Sequence, residues 1–125
     1  MADAPLIRLC DATALEEGGR GWRFEVDVGG RTESAFVLRW RGQVVGYLNR
    51  CAHVPSELDW VTGEFLDRDK HFILCATHGA IYDPLHGYCL GGPCNGRGGL
   101  RKLDVLERDG AIWWQPDEVI RARES

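Results

Sequence analysis

Apolar and polar residues alternate through much of this chain with the period of a strand. Arg23-Phe24-Glu25-Val26-Asp27-Val28 alternates and then breaks at Gly29-Gly30, which predicts a strand followed by a tight turn. Ala35-Phe36-Val37-Leu38-Arg39-Trp40 and Val44-Val45-Gly46-Tyr47-Leu48 are apolar runs on either side of Arg41-Gly42-Gln43. They predict a central hairpin. Leu6 to Cys10 predicts an edge strand. Leu100 to Leu106 and Ala111 to Trp114, around Arg108-Asp109-Gly110, predict a closing hairpin. Helical periodicity is scarce. Asp11 to Glu17, with Asp11 as N-cap, and Pro55 to Trp60 are the two short candidates. Pro116 to Ser125 predicts a short terminal helix or tail. No repeat, linker or second domain stands out, so the expected class is antiparallel all-β in one domain, residues 1–125.

The stretch from Arg50 to Gly99 breaks this pattern. It holds four of the five Cys, all four His and eight of the 16 Gly. Such a stretch buries too little aliphatic surface to order itself, and a bound metal centre would supply what is missing. Within it, His71-Phe72-Ile73-Leu74 predicts a strand that delivers Cys75.

Composition narrows the classes. With 44% hydrophobic and 27% charged residues the chain is neither disordered nor membrane-embedded. No apolar run approaches the roughly 18 residues that span a bilayer. The N-terminal Met1 to Arg8 lacks a basic region followed by an apolar stretch, so a cytoplasmic home is expected. A formal net charge of −4 argues against a nucleic-acid partner. In the cytosol, Cys grouped with His points to metal before disulfides.

The chemistry concentrates in Cys51-Ala52-His53 and Cys75-Ala76-Thr77-His78-Gly79. Each pairs a soft thiolate with an imidazole. The leading use of two sulfurs and two nitrogens in a small protein is a 2Fe–2S cluster, with two Cys on one iron and two His on the other. A tetrahedral zinc site is the alternative, but zinc fingers pair Cys with Cys and His with His over a shorter gap. Charge arithmetic explains the mixed set. Four thiolates leave the oxidised cluster at −2, whereas two thiolates and two neutral imidazoles leave it at 0, so adding an electron is easier. Thiolates favour Fe(III), which places the electron on the His53/His78 iron.

The pattern Cys51-x-His53…Cys75-x-x-His78-Gly79 resembles the Rieske family. So do Gly79-Ala80-Ile81-Tyr82-Asp83 and Gly87-x-Cys89-x-Gly91-Gly92-Pro93 downstream. The resemblance implies three antiparallel sheets with an inserted cluster-binding subdomain, about residues 50–96. It implies Cys51 and Cys75 on one iron, and His53 and His78 on the other. High-potential members carry two further Cys and a Ser where this chain has Ser56, Thr77 and Ala80. Tyr82 stands where those members have a Tyr whose hydroxyl bonds a ligand sulfur. The expectation is a low potential, below roughly 0 mV in a range of about −150 to +300 mV.

The gap between the ligand pairs is 21 residues, a few more than usual in the family. Its acidic segment Glu57 to Lys70 is expected to be a solvated loop. Cys89 and Cys94 are expected as two thiols packed behind the cluster loop, with a disulfide as second choice. Cys10 fills an apolar gap. His71 and His86 lack ligand spacing, and His86 is expected to face solvent. Trp40, Trp113 and Trp114 are expected in or near the core.

Nothing catalytic stands beyond the cluster ligands, and there is no Gly-rich dinucleotide loop. The resemblance therefore implies an electron carrier rather than an enzyme. It would take one electron from a flavin-dependent reductase and pass it to a terminal oxygenase or similar oxidoreductase. Two alternatives remain open: a small subunit of a larger oxidoreductase such as nitrite reductase, and a redox- or metal-sensing module using Cys89 and Cys94.

Overall fold

The computed structural model describes residues 5–51, 56–59, 61–76, 79–92, 96 and 98–122. Within them the chain runs β1 (Ile7–Asp11), a short 3-10 turn (Ala12–Ala14), β2 (Trp22–Val28), β3 (Arg31–Trp40), β4 (Gln43–Leu48), β5 (Ile73–Leu74), β6 (Ile81–Tyr82), β7 (Cys89–Gly91), β8 (Lys102–Arg108), β9 (Ala111–Gln115) and β10 (Ile120–Ala122). Seven strands form one sheet in the order β1-β9-β8-β4-β3-β2-β10. β5, β6 and β7 form a second, and all strand pairs are antiparallel. The large sheet joins what would otherwise be two sheets through a short β4–β8 pairing, Gly46 with Leu103 and Tyr47 with Lys102.

Turn chemistry sets the three long hairpins. β2–β3, β3–β4 and β8–β9 are each closed by two residues at positive φ: Gly29 and Gly30 (61° and 87°), Arg41 and Gly42 (49° and 78°), Asp109 and Gly110 (54° and 74°). Turns of this hand match the right-handed twist of the strands they join.

β3 explains why its apolar run is continuous. Phe36, Leu38 and Trp40 pack into one cluster with Tyr47 and the residues of the second sheet. Ala35 packs with Val26, Leu103 and Trp114, and Val37 with Cys10 and Ile112. A strand covered on both faces needs apolar residues at successive positions.

Three contacts seat the region between β4 and β8 on this strand pair. Phe65 stacks on Phe36 with ring centroids 3.7 Å apart. Trp40 Nε1 donates to the Lys70 carbonyl at 2.8 Å. The Tyr47 hydroxyl donates to the Pro84 carbonyl at 2.6 Å. Burial holds the Tyr47 phenol well above its ordinary pKa, with Asp83 adding to the effect, so it stays a donor.

Four expectations are corrected. The C-terminal segment is β10, not a helix or tail: Ile120 is buried against Val26, and Ile120–Ala122 pairs with Val28–Val26, covering an edge β2 would otherwise expose. The helix predicted over Asp11–Glu17 shrinks to the single 3-10 turn, because the Asp11 carboxylate pairs with Arg8 instead of capping. Pro55 and Trp60 lie outside the described residues, and Ser56–Asp59 is not helical. The strand expected over His71–Leu74 begins at Ile73, because the Asp67 carboxylate takes the His71 and Phe72 amides at 2.8 and 3.2 Å.

Candidate metal centre

The two cysteines open loops of the same design. Cys51 follows β4 by three residues, and its N–H donates to the Ser56 carbonyl at 2.8 Å. Cys75 follows β5 directly, and its N–H donates to the Ala80 carbonyl at 2.8 Å. In each case the amide of the cysteine closes a loop on the fifth residue after it. Both side chains are sealed from water, 2% exposed for Cys51 and 0% for Cys75, and both belong to one apolar cluster with Tyr82, Ala80 and Leu58. Neither is in a disulfide. His53 and His78 lie outside the described residues, as do Val54, Pro55, Thr77, Pro93 and Cys94.

The Tyr82 hydroxyl stands 3.3 Å from Cys51 Sγ. Against a thiolate the phenol would hold the only proton and would be the donor. The structure thus places Tyr82 beside the sulfur of Cys51, the residue expected as a ligand. Gly92 shows how closely the next segment approaches. Its φ is +86°, and a Cβ there would lie 2.7 Å from the Gly79 carbonyl oxygen and 2.8 Å from Ala80 Cα. A side chain would meet backbone on the Cys75 loop, so only glycine fits.

Other candidates fall away from the site. Cys89 is disulfide-bonded, against the preferred reading of a thiol. A disulfide sulfur has no proton and no thiolate charge to give, which removes Cys89 from any all-cysteine ligand set. Its 3.7 Å approach to the Gly91 carbonyl is packing. His86 is exposed as expected, with Nδ1 2.8 Å from Asp83 Oδ2 and its ring stacked on Tyr88. His71 is exposed. Cys10 is 7% exposed beside Leu15, Val37 and Ile112, and burial pushes its thiol up. Trp40 and Trp114 are buried and Trp113 is half-buried, as expected.

The segment after the first loop is the expected loop with most of its described residues exposed, but it is anchored at a few buried points. Leu58 and Phe65 are buried, and the Asp59 side chain is 0% exposed. Asp59 accepts from Asn49 Nδ2 at 2.8 Å and the Gly63 amide at 2.9 Å, with Arg23 Nη1 3.4 Å away. Arg23 also reaches Glu57 at 3.0 Å. A buried carboxylate persists only where such partners compensate it. Nothing in the strand-period pattern distinguishes Asn49 or Asp59 from surface residues. Their one sequence signal is an amide placed between an apolar strand and Cys51.

Two sulfurs in one dry cluster, with a phenol aimed at one of them, fit thiolate ligation of an iron–sulfur group. Comparison with known proteins bears on the family and the fold. A family model described as the Rieske [2Fe-2S] domain, which holds one cluster per chain, matches residues 6–105. The ferredoxin of carbazole 1,9a-dioxygenase from Nocardioides aromaticivorans IC177 superposes with a TM-score of 0.70 at 24% identity, over 91% of this chain and 100% of that one. The Sphingomonas yanoikuyae B1 ferredoxin gives 0.67 at 21% identity, over 90% and 100%. A chain from the complex of reduced oxygenase and oxidized ferredoxin in carbazole 1,9a-dioxygenase gives 0.66 at 21% identity, over 88% and 92%. At these identities the likeness speaks for the fold. No curated protein sequence matches. No helix among the described residues is long and apolar enough to cross a membrane. With a model match from β1 into β8, the chain belongs to the Rieske [2Fe-2S] domain family.

Proposed function

We propose that this protein is a one-electron carrier whose 2Fe–2S cluster is held by Cys51 and Cys75 on one iron and by His53 and His78 on the other. The observation that carries the reading is the matched pair of loops, each opened by a buried cysteine and closed by that cysteine's amide. A bound cluster would supply reversible one-electron chemistry at that position. The chain's own residues do the rest. The apolar cluster around the sulfurs excludes water, which strengthens every electrostatic contact inside it. Tyr82 donates toward Cys51 and favours the more negative state. Gly92 brings the segment after β7 against the Gly79-Ala80 backbone.

The likeness to solved ferredoxins, one of them in complex with an oxygenase, supports a terminal oxygenase as acceptor. The likeness to dioxygenase ferredoxins supports a flavin-dependent reductase as donor and a cytoplasmic setting. The cluster-binding subdomain is assigned to about residues 50–96 of a single domain. The test is EPR of the dithionite-reduced protein. Mixed ligation gives a low average g-value, and His53→Ala and His78→Ala each abolish or change the signal. A spectrum that survives either substitution sinks the assignment.

A further inference from the structure

The two ligand loops do not touch the large sheet independently, and one side chain links them. Asn49 is 4% exposed and follows β4 directly. Its backbone N–H is fixed on the Ser34 carbonyl at 2.9 Å. Its Oδ1 accepts the Leu58 amide at 2.7 Å. The Leu58 carbonyl in turn accepts the Ala76 amide at 2.9 Å. Ala76 directly follows Cys75, and Asn49 stands two residues before Cys51. One amide side chain therefore connects the entrance of the first loop to the second through a single residue, Leu58, whose N–H faces Asn49 and whose C=O faces Ala76.

Asp59 fixes the orientation of that amide. Asn49 Nδ2 donates to Asp59 Oδ1 at 2.8 Å, so Oδ1 of Asn49 must face Leu58. Asp59 Oδ2 is occupied by the Gly63 amide at 2.9 Å and by Arg23 at 3.4 Å. A buried charge is a costly way to orient a neutral amide when apolar packing is available. What it adds is geometric definition, since a satisfied buried network admits one arrangement.

We propose that Asn49 and Asp59 form a positioning clamp that fixes the spacing of the Cys51 and Cys75 loops, and thereby the geometry of the metal they hold. The second half of this claim rests on the electron-carrier reading. The first half does not.

The experiment uses the full-length holoprotein with Asn49→Ala, Asn49→Asp, Asp59→Asn and the exchanged pair Asn49→Asp with Asp59→Asn. Asn49→Asp sets two carboxylates against each other. The exchange restores one donor between them and leaves acceptors for the Leu58 and Gly63 amides. Amide hydrogen exchange reads the clamp without reference to metal. Asn49→Ala is expected to speed exchange at both Leu58 and Ala76 at least tenfold, with the β3–β4 amides unchanged. Unchanged exchange at Ala76 overturns the clamp. EPR and the rate of iron loss to a chelator read the metal. Asn49→Asp is expected to shift the g-values and speed iron loss at least tenfold, and the exchanged pair to recover the wild-type spectrum and come within about threefold of its rate. An exchanged pair as impaired as Asn49→Asp overturns the positioning role. Where Asn49→Asp does not accumulate, Asn49→Ala supplies the same spectrum and rate, and wild-type values for both overturn the role. A wild-type protein without a Rieske signal defeats the carrier reading alone, since the exchange arm still decides the clamp.

Discussion

The Tyr82 hydroxyl lies 3.3 Å from the Cys51 sulfur, inside a cluster that water does not reach. Tyr82 is 0% exposed and comes from β6, whose partner β5 delivers Cys75. One side chain thus reaches from the strand beside the Cys75 loop to the sulfur of Cys51. A hydrogen bond to sulfur favours the reduced state, because that state carries more negative charge there.

Tyr82→Phe should lower the reduction potential. A bond worth about 1 kcal/mol more to the reduced form corresponds to a fall of roughly 40 mV for a one-electron couple. Protein-film voltammetry checks it, with the wild type expected below roughly 0 mV. A potential unchanged in the Phe variant means the phenol does not act on the cluster.

Gly92→Ala should loosen the site from outside. The left-handed backbone alone costs about 1–3 kcal/mol for alanine, and the methyl would also press on the Gly79 carbonyl. Chemical denaturation should show at least that loss, with faster bleaching of the visible absorbance. Gly29→Ala offers the contrast, because a Cβ there meets nothing within 4 Å, so only the backbone term applies.

Phe65→Ala should detach the segment from the large sheet. Phe65 is 1% exposed and stacked on Phe36, and removing such a ring costs about 3–5 kcal/mol. Urea unfolding measures the loss. A loss below about 1 kcal/mol would show that the stack is not what seats this segment.

Asp117 makes the β10 edge acid-sensitive. Partial burial pushes its carboxyl up, but the Ile120 and Val119 amides, with Arg101 beside it, outweigh this and hold it below the ordinary value. A carboxyl depressed in the fold adds stability that is full above its unfolded pKa, about 3.9, and is lost as pH falls through the folded one. The stability difference between wild type and Asp117→Asn should therefore shrink as pH drops from about 5 to about 3. A constant difference would show that the charge is not involved.

The sequence is most legible where one local rule decides the outcome. β2, β3, β4, β8 and β9 follow period-two or apolar runs, and their hairpins follow Gly-containing two-residue turns. Tyr82 was readable because a motif positions it. Asp59 was not, because its burial depends on Asn49 and Arg23, 10 and 36 residues away in the chain. β10 was missed for a related reason. Ile120 becomes a strand residue only because β2 presents an open edge and Asp117 turns the chain toward it.

The seating of the segment between β4 and β8 on β3 and β4 bears on how such a module can be moved. Its core is shared: Phe36, Leu38, Trp40, Val45 and Tyr47 of the large sheet pack in the same cluster as Cys51, Cys75 and Tyr82. Residues 50–96 are therefore not a cassette that can be cut out and grafted onto a foreign scaffold. A transplant that keeps every ligand but leaves Phe36 and Tyr47 behind carries the recipe for the metal without the floor on which the two loops stand.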